Sequence, residues 1–165
     1  GLSGAGKSTI AKNVEKRLFQ KNINVFCLDG DNLRMGLNKN LDFSPEDRTE
    51  NIRRTAEVAN LFSKAGFIVL VSLISPYRSE RKKARDIRPE VFREIYVEAS
   101  IEVCSNRDVK GLYAKAIKGE IKNFTGISSP YEPPEMPNLV INTSKCSIEE
   151  SVTKLEKFIL KEFSF

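Results

Sequence analysis

The sequence predicts an α/β domain of three layers built on a parallel central sheet, and three observations carry that expectation. Apolar, β-rich runs alternate with segments of helical period. The runs lack the polar alternation of a sheet with one wet face, so they suit strands covered on both sides. The chain also opens on "GLSGAGKST", whose G-x-x-x-x-G-K-S spacing normally joins a buried strand to a helix.

Taken in order, a helix is expected over about 7–21, with Ile10, Val14 and Leu18 on one face. "INVFCL" (23–28) reads as a strand. A second helix is expected over about 45–65, where Ile52, Ala56 and Ala59 line a face and Gly66 ends it. "FIVLVSL" (67–73), "REIYVEA" (93–99) and "NLVINT" (138–143) are the remaining strands, and a last helix covers about 147–162 through Ile148, Val152, Leu155 and Ile159. "SSPYEPPEMP" (128–137) fits a rigid loop better than a linker. With no repeat or low-complexity tract, one domain over 1–165 is expected. The strand that usually precedes the glycine-rich pattern is absent ahead of Gly1, which reads as an N-terminal truncation. Such a strand would lie mid-sheet, and its loss leaves two neighbours without ladder partners.

The 165 residues are 40% apolar and 30% charged, the balance of an ordinary globular protein. "FIVLVSL" is the longest apolar run, far short of the roughly 18 residues a membrane span needs. The net charge of +5 is either a solvated surface or a sign of an anionic ligand. The basic residues do not alternate with aromatics as in a base-stacking groove, so no nucleic acid is expected. Cys27, Cys104 and Cys146 are widely spaced without a C-x-x-C, which argues against a disulfide framework or zinc knuckle and for a reducing compartment. That compartment is the cytoplasm, or a plastid if a transit peptide was removed. The absence of histidine excludes His-activated nucleophiles and His-based metal sites, leaving a carboxylate as the natural general base.

In the opening pattern, Gly1, Gly4 and Gly6 permit torsions that aim backbone N–H groups at phosphate oxygens. Lys7 has the reach for β- and γ-phosphates, the Ser8 hydroxyl suits Mg²⁺, and the following helix presents its positive end. Leu2, Ser3, Ala5 and Thr9 complete this ATP-binding stretch. The alternative is a glycine-rich turn that merely caps a helix. "CLDGDNLR" then sends Asp29 and Asp31 from the carboxyl end of a parallel strand, where α/β sheets bind ligands. A carboxylate there can accept a hydroxyl proton or hold magnesium, although a simple bend at Gly30 would look the same. No N-K-x-D guanine signature and no Walker B with a catalytic Glu are present, so a small-molecule kinase on a P-loop NTPase-like scaffold is favoured over GTPases and motor ATPases.

"LDGDNLRMGLN", "FSPEDRTENIRR", "LISPYRSERKKAR", "RDVKGLYAKAIKGEIKNFTGI" and "SPYEPPEMPNLVINTS" follow the glycine loop in an order and spacing that resemble the adenylyl-sulfate kinase family over nearly the whole chain. The resemblance implies transfer of phosphate from Mg²⁺-ATP to the ribose 3′-hydroxyl of adenosine 5′-phosphosulfate, giving ADP and 3′-phosphoadenosine 5′-phosphosulfate. It implies Asp31 as base and Mg²⁺ partner, and Asn32, Leu33, Arg34, Arg48 and Asn51 as holders of the sulfonucleotide. Phe43 and Phe124, with Asn123, are expected to sandwich the purine. Ile74 and Ser75 stand at a strand exit on the ligand side; family descriptions give the Ser a phosphoserine role that direct transfer does not need. A lid over about 105–128 brings Arg107 to the transferring phosphoryl group and Lys110 to the acceptor, while Thr143 and Cys146 border ATP. A homodimer, and fusion to or cooperation with an ATP sulfurylase, are implied in the same way. Without the resemblance, Phe43 and Phe124 read as core, Arg48 as a surface charge and the lid as a basic surface helix. Asp42 and Asn123 replace glycines usual in the family; Asn tolerates positive φ, whereas Asp42 adds a negative charge near an anionic substrate.

Overall fold

The computed structural model describes residues 1–108 and 110–163; position 109 of the expected lid and positions 164 and 165 lie outside the described residues. The elements run α1 (Lys7–Gln20), β1 (Val25–Asp29), α2 (Gly30–Met35), α3 (Pro45–Lys64), β2 (Ile68–Ser72) and α4 (Arg78–Ile87). Then follow β3 (Ile95–Glu98), α5 (Ile101–Arg107), α6 (Leu112–Ile117), β4 (Leu139–Asn142) and α7 (Ile148–Phe163). Every strand and long helix read from periodicity is present. The short helices α2, α4 and α5 were not foreseen, because few apolar positions mark them: α4 reads "RSERKKARDI".

Local capping explains where the helices begin. Ser44 accepts from the Asp47 amide at 3.1 Å with Pro45 in the first turn of α3. Ser100 does the same for Val103 at the start of α5, at 3.2 Å. Gly66, at φ 88°, turns the chain just beyond α3.

All pairing between strands is parallel: β1 lies beside β2 from Val25↔Ile68 to Asp29↔Ser72, and β3 beside β4 from Ile95↔Leu139 to Glu98↔Asn142. Among the described residues no ladder joins β2 to β3. Gly1 lies between their carboxyl ends. Its amino group donates to the Ile74 carbonyl at 3.3 Å, and a Cβ there would fall 2.2 Å from the Val97 carbonyl oxygen. Along β2, Ser72 is buried and Val71 is 43% exposed. The core gathers around α1 instead: Ile10, Val14 and Leu18 pack with Val97 and Ile141 from the second strand pair and with Val152, Leu155 and Ile159 of α7. This core seats the glycine loop at one end of α1, next to the carboxyl ends of all four strands. Among the described residues, no helix is long and apolar enough to cross a membrane.

Candidate active site

A cavity of about 880 Å³ opens at that end of the molecule. Its donor wall is the glycine loop. Gly6, at φ 96°, precedes α1 without a side-chain cap, so the first amides of the helix are free for an anion. Gly4, at φ 76°, runs so close to α5 that a Cβ would sit 3.1 Å from the Cys104 carbonyl oxygen. Lys7 folds back over the loop and donates to the Leu2 carbonyl at 2.7 Å. Burial lowers its pKa to about 8, while Cys104, Asp29 and Asp31 oppose that shift. Thr143, just after β4, donates to the Ala5 carbonyl at 2.9 Å. Arg107 closes this side, reaching the Gly4 carbonyl at 3.3 Å and the Thr143 carbonyl at 2.6 Å. Ser3, Ser8, Thr9 and Cys146 also line the cavity. Gly1, Leu2 and Ala5 do not: Gly1 lies behind the loop and Leu2 and Ala5 belong to the core.

The end of β1 supplies the two carboxylates, which have different surroundings. Asp29 is buried; one oxygen accepts from the Ser8 hydroxyl at 2.5 Å and the other from the Asp31 amide at 3.0 Å, which caps α2. Asp31 is exposed on the cavity wall and pairs with Lys110 from the lid segment. The shared hydrogen bonding of Asp29 fastens the Ser8 hydroxyl and the start of α2 to one another. The sequence motif points to Asp31 as the base, and only the fold shows that Asp29 is the carboxylate bound to Ser8.

The acceptor wall is assembled from distant segments. Arg48 is buried on α3, and its Nε donates to the Phe43 carbonyl at 3.1 Å while Nη2 donates to the Asn123 carbonyl at 2.6 Å. One guanidinium therefore ties together the two loops that carry Phe43 and Phe124. Asn123 has φ 56°, the left-handed conformation that Asn tolerates, and it aims the following Phe124 inward. Phe124 is buried against the Tyr113 ring, edge to face with centroids 4.9 Å apart. Tyr113, itself buried, donates from its hydroxyl to the Ser3 carbonyl at 2.9 Å, so it joins the aromatic wall to the glycine loop. Arg34 lies over the Phe43 ring at 4.3 Å and donates to the carbonyls of Leu41 and Asp42 at 3.0 and 3.1 Å. The Asp42 carboxylate accepts from the Phe43 amide at 2.9 Å, close to that guanidinium, which is where the extra negative charge is taken up. Asn51 reaches the cavity with its Oδ1 already held by the buried Asn38 amide at 3.0 Å. Ile74 and Ser75 line the same space, Ser75 at φ 46°, whereas Asn32 and Leu33 do not line it.

Tyr113 and Asn38 also support the site, and no pattern in the sequence marks either of them, because a Tyr inside a lid motif or an Asn in a loop carries no periodic signal of its role.

The described residues contain no cluster of three or more His, Cys, Asp or Glu side chains suited to a metal by themselves. That set fits a hard cation carried by phosphate oxygens, which takes one or two carboxylates and a hydroxyl from the protein. Ser8, Asp29 and Asp31 would hold it. A parallel α/β scaffold with a glycine loop, a lysine and convergent carboxylates defines a nucleotide-dependent phosphotransferase.

The family model for adenylylsulphate kinase matches residues 1–142, and the chain belongs to that family. It is 56% identical to an adenylyl-sulfate kinase of Acaryochloris marina over 96% of this chain and 78% of the relative. A Rhizobium protein named bifunctional enzyme NodQ is 53% identical over 96% of this chain, which spans 25% of that protein. Among solved structures, the Mycobacterium tuberculosis APS kinase CysC in complex with AMPPNP and APS superimposes with a TM-score of 0.93, at 45% identity, over 96% of this chain and 93% of that one.

Proposed function

We propose that this protein phosphorylates the ribose 3′-hydroxyl of adenosine 5′-phosphosulfate at the expense of ATP, yielding 3′-phosphoadenosine 5′-phosphosulfate and ADP. The observation that carries the proposal is a single cavity with the glycine loop and Lys7 on one wall, Phe43 and Phe124 on the other, and Asp31 on its lining. Such a space holds two nucleotides with the acceptor hydroxyl near the carboxylate and the donor phosphates on the α1 amides. The family and the ligands named for the mycobacterial structure support the same reading.

Phosphoryl transfer depends on alignment and charge stabilisation. Phe43 and Phe124 hold the acceptor purine, at about 1–3 kcal/mol per stacked base. Arg34 and Asn51 bind the polar edge of the sulfonucleotide, and Arg48 keeps the two aromatic loops at fixed separation. Asp31 takes the hydroxyl proton once the acceptor displaces Lys110 from it. Lys7, Arg107 and the α1 N-terminus then meet the charge that develops on the transferring group. When bound, Mg²⁺ neutralises phosphate charge beside Ser8, Asp29 and Asp31. A lid over about 105–128 excludes water from the transfer, which limits ATP hydrolysis.

We extend the proposal to a single catalytic domain over 1–165, a homodimer, and a cytoplasmic setting. We also propose fusion to, or work beside, an ATP sulfurylase; that a bifunctional relative, NodQ, carries a matching region over 25% of its length supports the fused arrangement in general. The test is ADP release with a panel of acceptors. Turnover that requires adenosine 5′-phosphosulfate is expected. Preference for a sugar acid or nucleoside, or nucleotide binding without turnover, overturns the assignment.

A further inference from the structure

The turn that follows β2 is held from behind by an unusual set of bonds. Its three successive carbonyls each accept from a group that does not line the cavity: Ile74 from the Gly1 amino group at 3.3 Å, Ser75 from Arg81 Nη1 at 2.7 Å, and Pro76 from the Glu132 amide at 2.8 Å. Ile74, Ser75 and Pro76 line the cavity. Ser75 has φ 46°, a backbone conformation that residues other than glycine hold only where their surroundings over-determine it.

Arg81 is the group with the means to do so. It is buried, and its other two guanidinium nitrogens donate to Glu94 Oε1 at 2.5 Å and to the Glu132 carbonyl at 2.7 Å. Glu94 is in turn shared with Arg85 at 3.3 Å, so the charge is paired and the fork cannot rotate freely. A lysine could keep the pairing with Glu94 but could not reach the two carbonyls together.

Resting on the acceptor assignment above, we propose that Arg81 is a positioning residue for the acceptor: by gripping the Ser75 carbonyl it keeps the turn in its positive-φ form and so shapes the wall against which the sulfonucleotide lies. Arg81 does not itself face the cavity. It acts through Ser75, and its influence is on acceptor binding more than on ATP, whose loop meets this turn through Gly1 but is held along the rest of its length by Tyr113, Arg107 and Thr143.

The test is a cycle of Arg81→Lys, Ser75→Gly and the double variant, with both KM values, kcat, and hydrogen exchange over residues 72–78. Arg81→Lys is expected to raise the KM for adenosine 5′-phosphosulfate on the order of tenfold, with kcat and the KM for ATP within about threefold of wild type, and to speed exchange in the turn. Glycine adopts positive φ without strain, so in the Ser75→Gly background the same lysine substitution should raise that KM by less than about threefold. An unchanged acceptor KM in Arg81→Lys, an equal rise in both backgrounds, or a rise in both substrates' KM with lowered Tm overturns the proposal and leaves Arg81 a purely structural ion pair. Wild-type turnover separates this failure from that of the functional reading. If wild type does not turn over adenosine 5′-phosphosulfate, exchange still decides: unaltered rates at 72–78 in Arg81→Lys overturn the grip on the turn.

Discussion

The donor and acceptor walls face one cavity but are built in opposite ways. The donor wall is nearly continuous in sequence, running from Ser3 to Thr9, and its geometry comes from glycine torsions and a helix terminus. The acceptor wall draws on the ends of β1 and β2, on α3, and on the lid segment through Phe124. It depends on long-range side-chain bonds such as Arg48 to the Asn123 carbonyl, 75 residues away. A contiguous site tolerates change outside itself. A site assembled from distant segments responds to residues that never touch the ligand.

The largest effect is expected where the walls meet. Asp31→Asn removes the proton acceptor and should lower kcat by about 10²–10⁴-fold with little change in either KM. A fall below tenfold in a rapid-quench measurement would assign the base elsewhere. Phe124→Ala tests the acceptor wall alone: the acceptor KM should rise about 5- to 150-fold, the range of one stacked base, while the KM for ATP is unchanged.

The donor wall predicts a pH effect instead. Lys7 titrates near 8 in the free protein because burial disfavours its charged form. Bound phosphate stabilises the ammonium, so ATP affinity should be flat below that pH and weaken toward tenfold per unit above it. Isothermal titration of wild type and Lys7→Arg, whose guanidinium stays charged, should show the dependence only in the former. The linked stability has the opposite sign. The folded pKa of Lys7 is depressed from 10.5 to about 8, so the unfolded chain binds more protons between those values. Nucleotide-free stability from this group should therefore rise with pH across that window.

The smallest effect is the bridge between the walls. Tyr113→Phe keeps the ring on Phe124 but loses the hydroxyl bond to Ser3, leaving that carbonyl short of a donor. A stability loss of about 1 kcal/mol is expected, with a weakened influence of bound nucleotide on acceptor affinity. Equal acceptor affinity changes with and without nucleotide would show that the bridge does not couple the walls.

The same contrast explains what could be read in advance. Ile10, Val14 and Leu18 announced α1 because a helix repeats its buried face, and the apolar strand runs stood out in the same way. The glycine loop was legible because its function follows from backbone torsions within a few residues. The family motifs pointed to Phe43, Arg48 and Phe124, but not to what Arg48 holds. Asn38 and Arg81 were illegible as supports because their partners lie on other elements, and no local pattern records a contact across the fold. Asn32 and Leu33 shared a motif with Asp31 and Arg34, yet they do not line the cavity, because a helix divides neighbouring residues among its faces.

By itself the sequence determined the order of the strands and the long helices, the phosphate-binding loop and the kinase family, since periodicity, glycine torsions and motif spacing are local properties. Only the tertiary structure decided that β1 pairs with β2 and β3 with β4, that Asp29 is locked to Ser8 while Asp31 faces the cavity, and that Arg48, Arg81 and Tyr113 brace its walls. Those outcomes depend on which distant groups find one another in a buried space, where an unpaired donor or acceptor is costly, and that pairing exists only after the chain has packed.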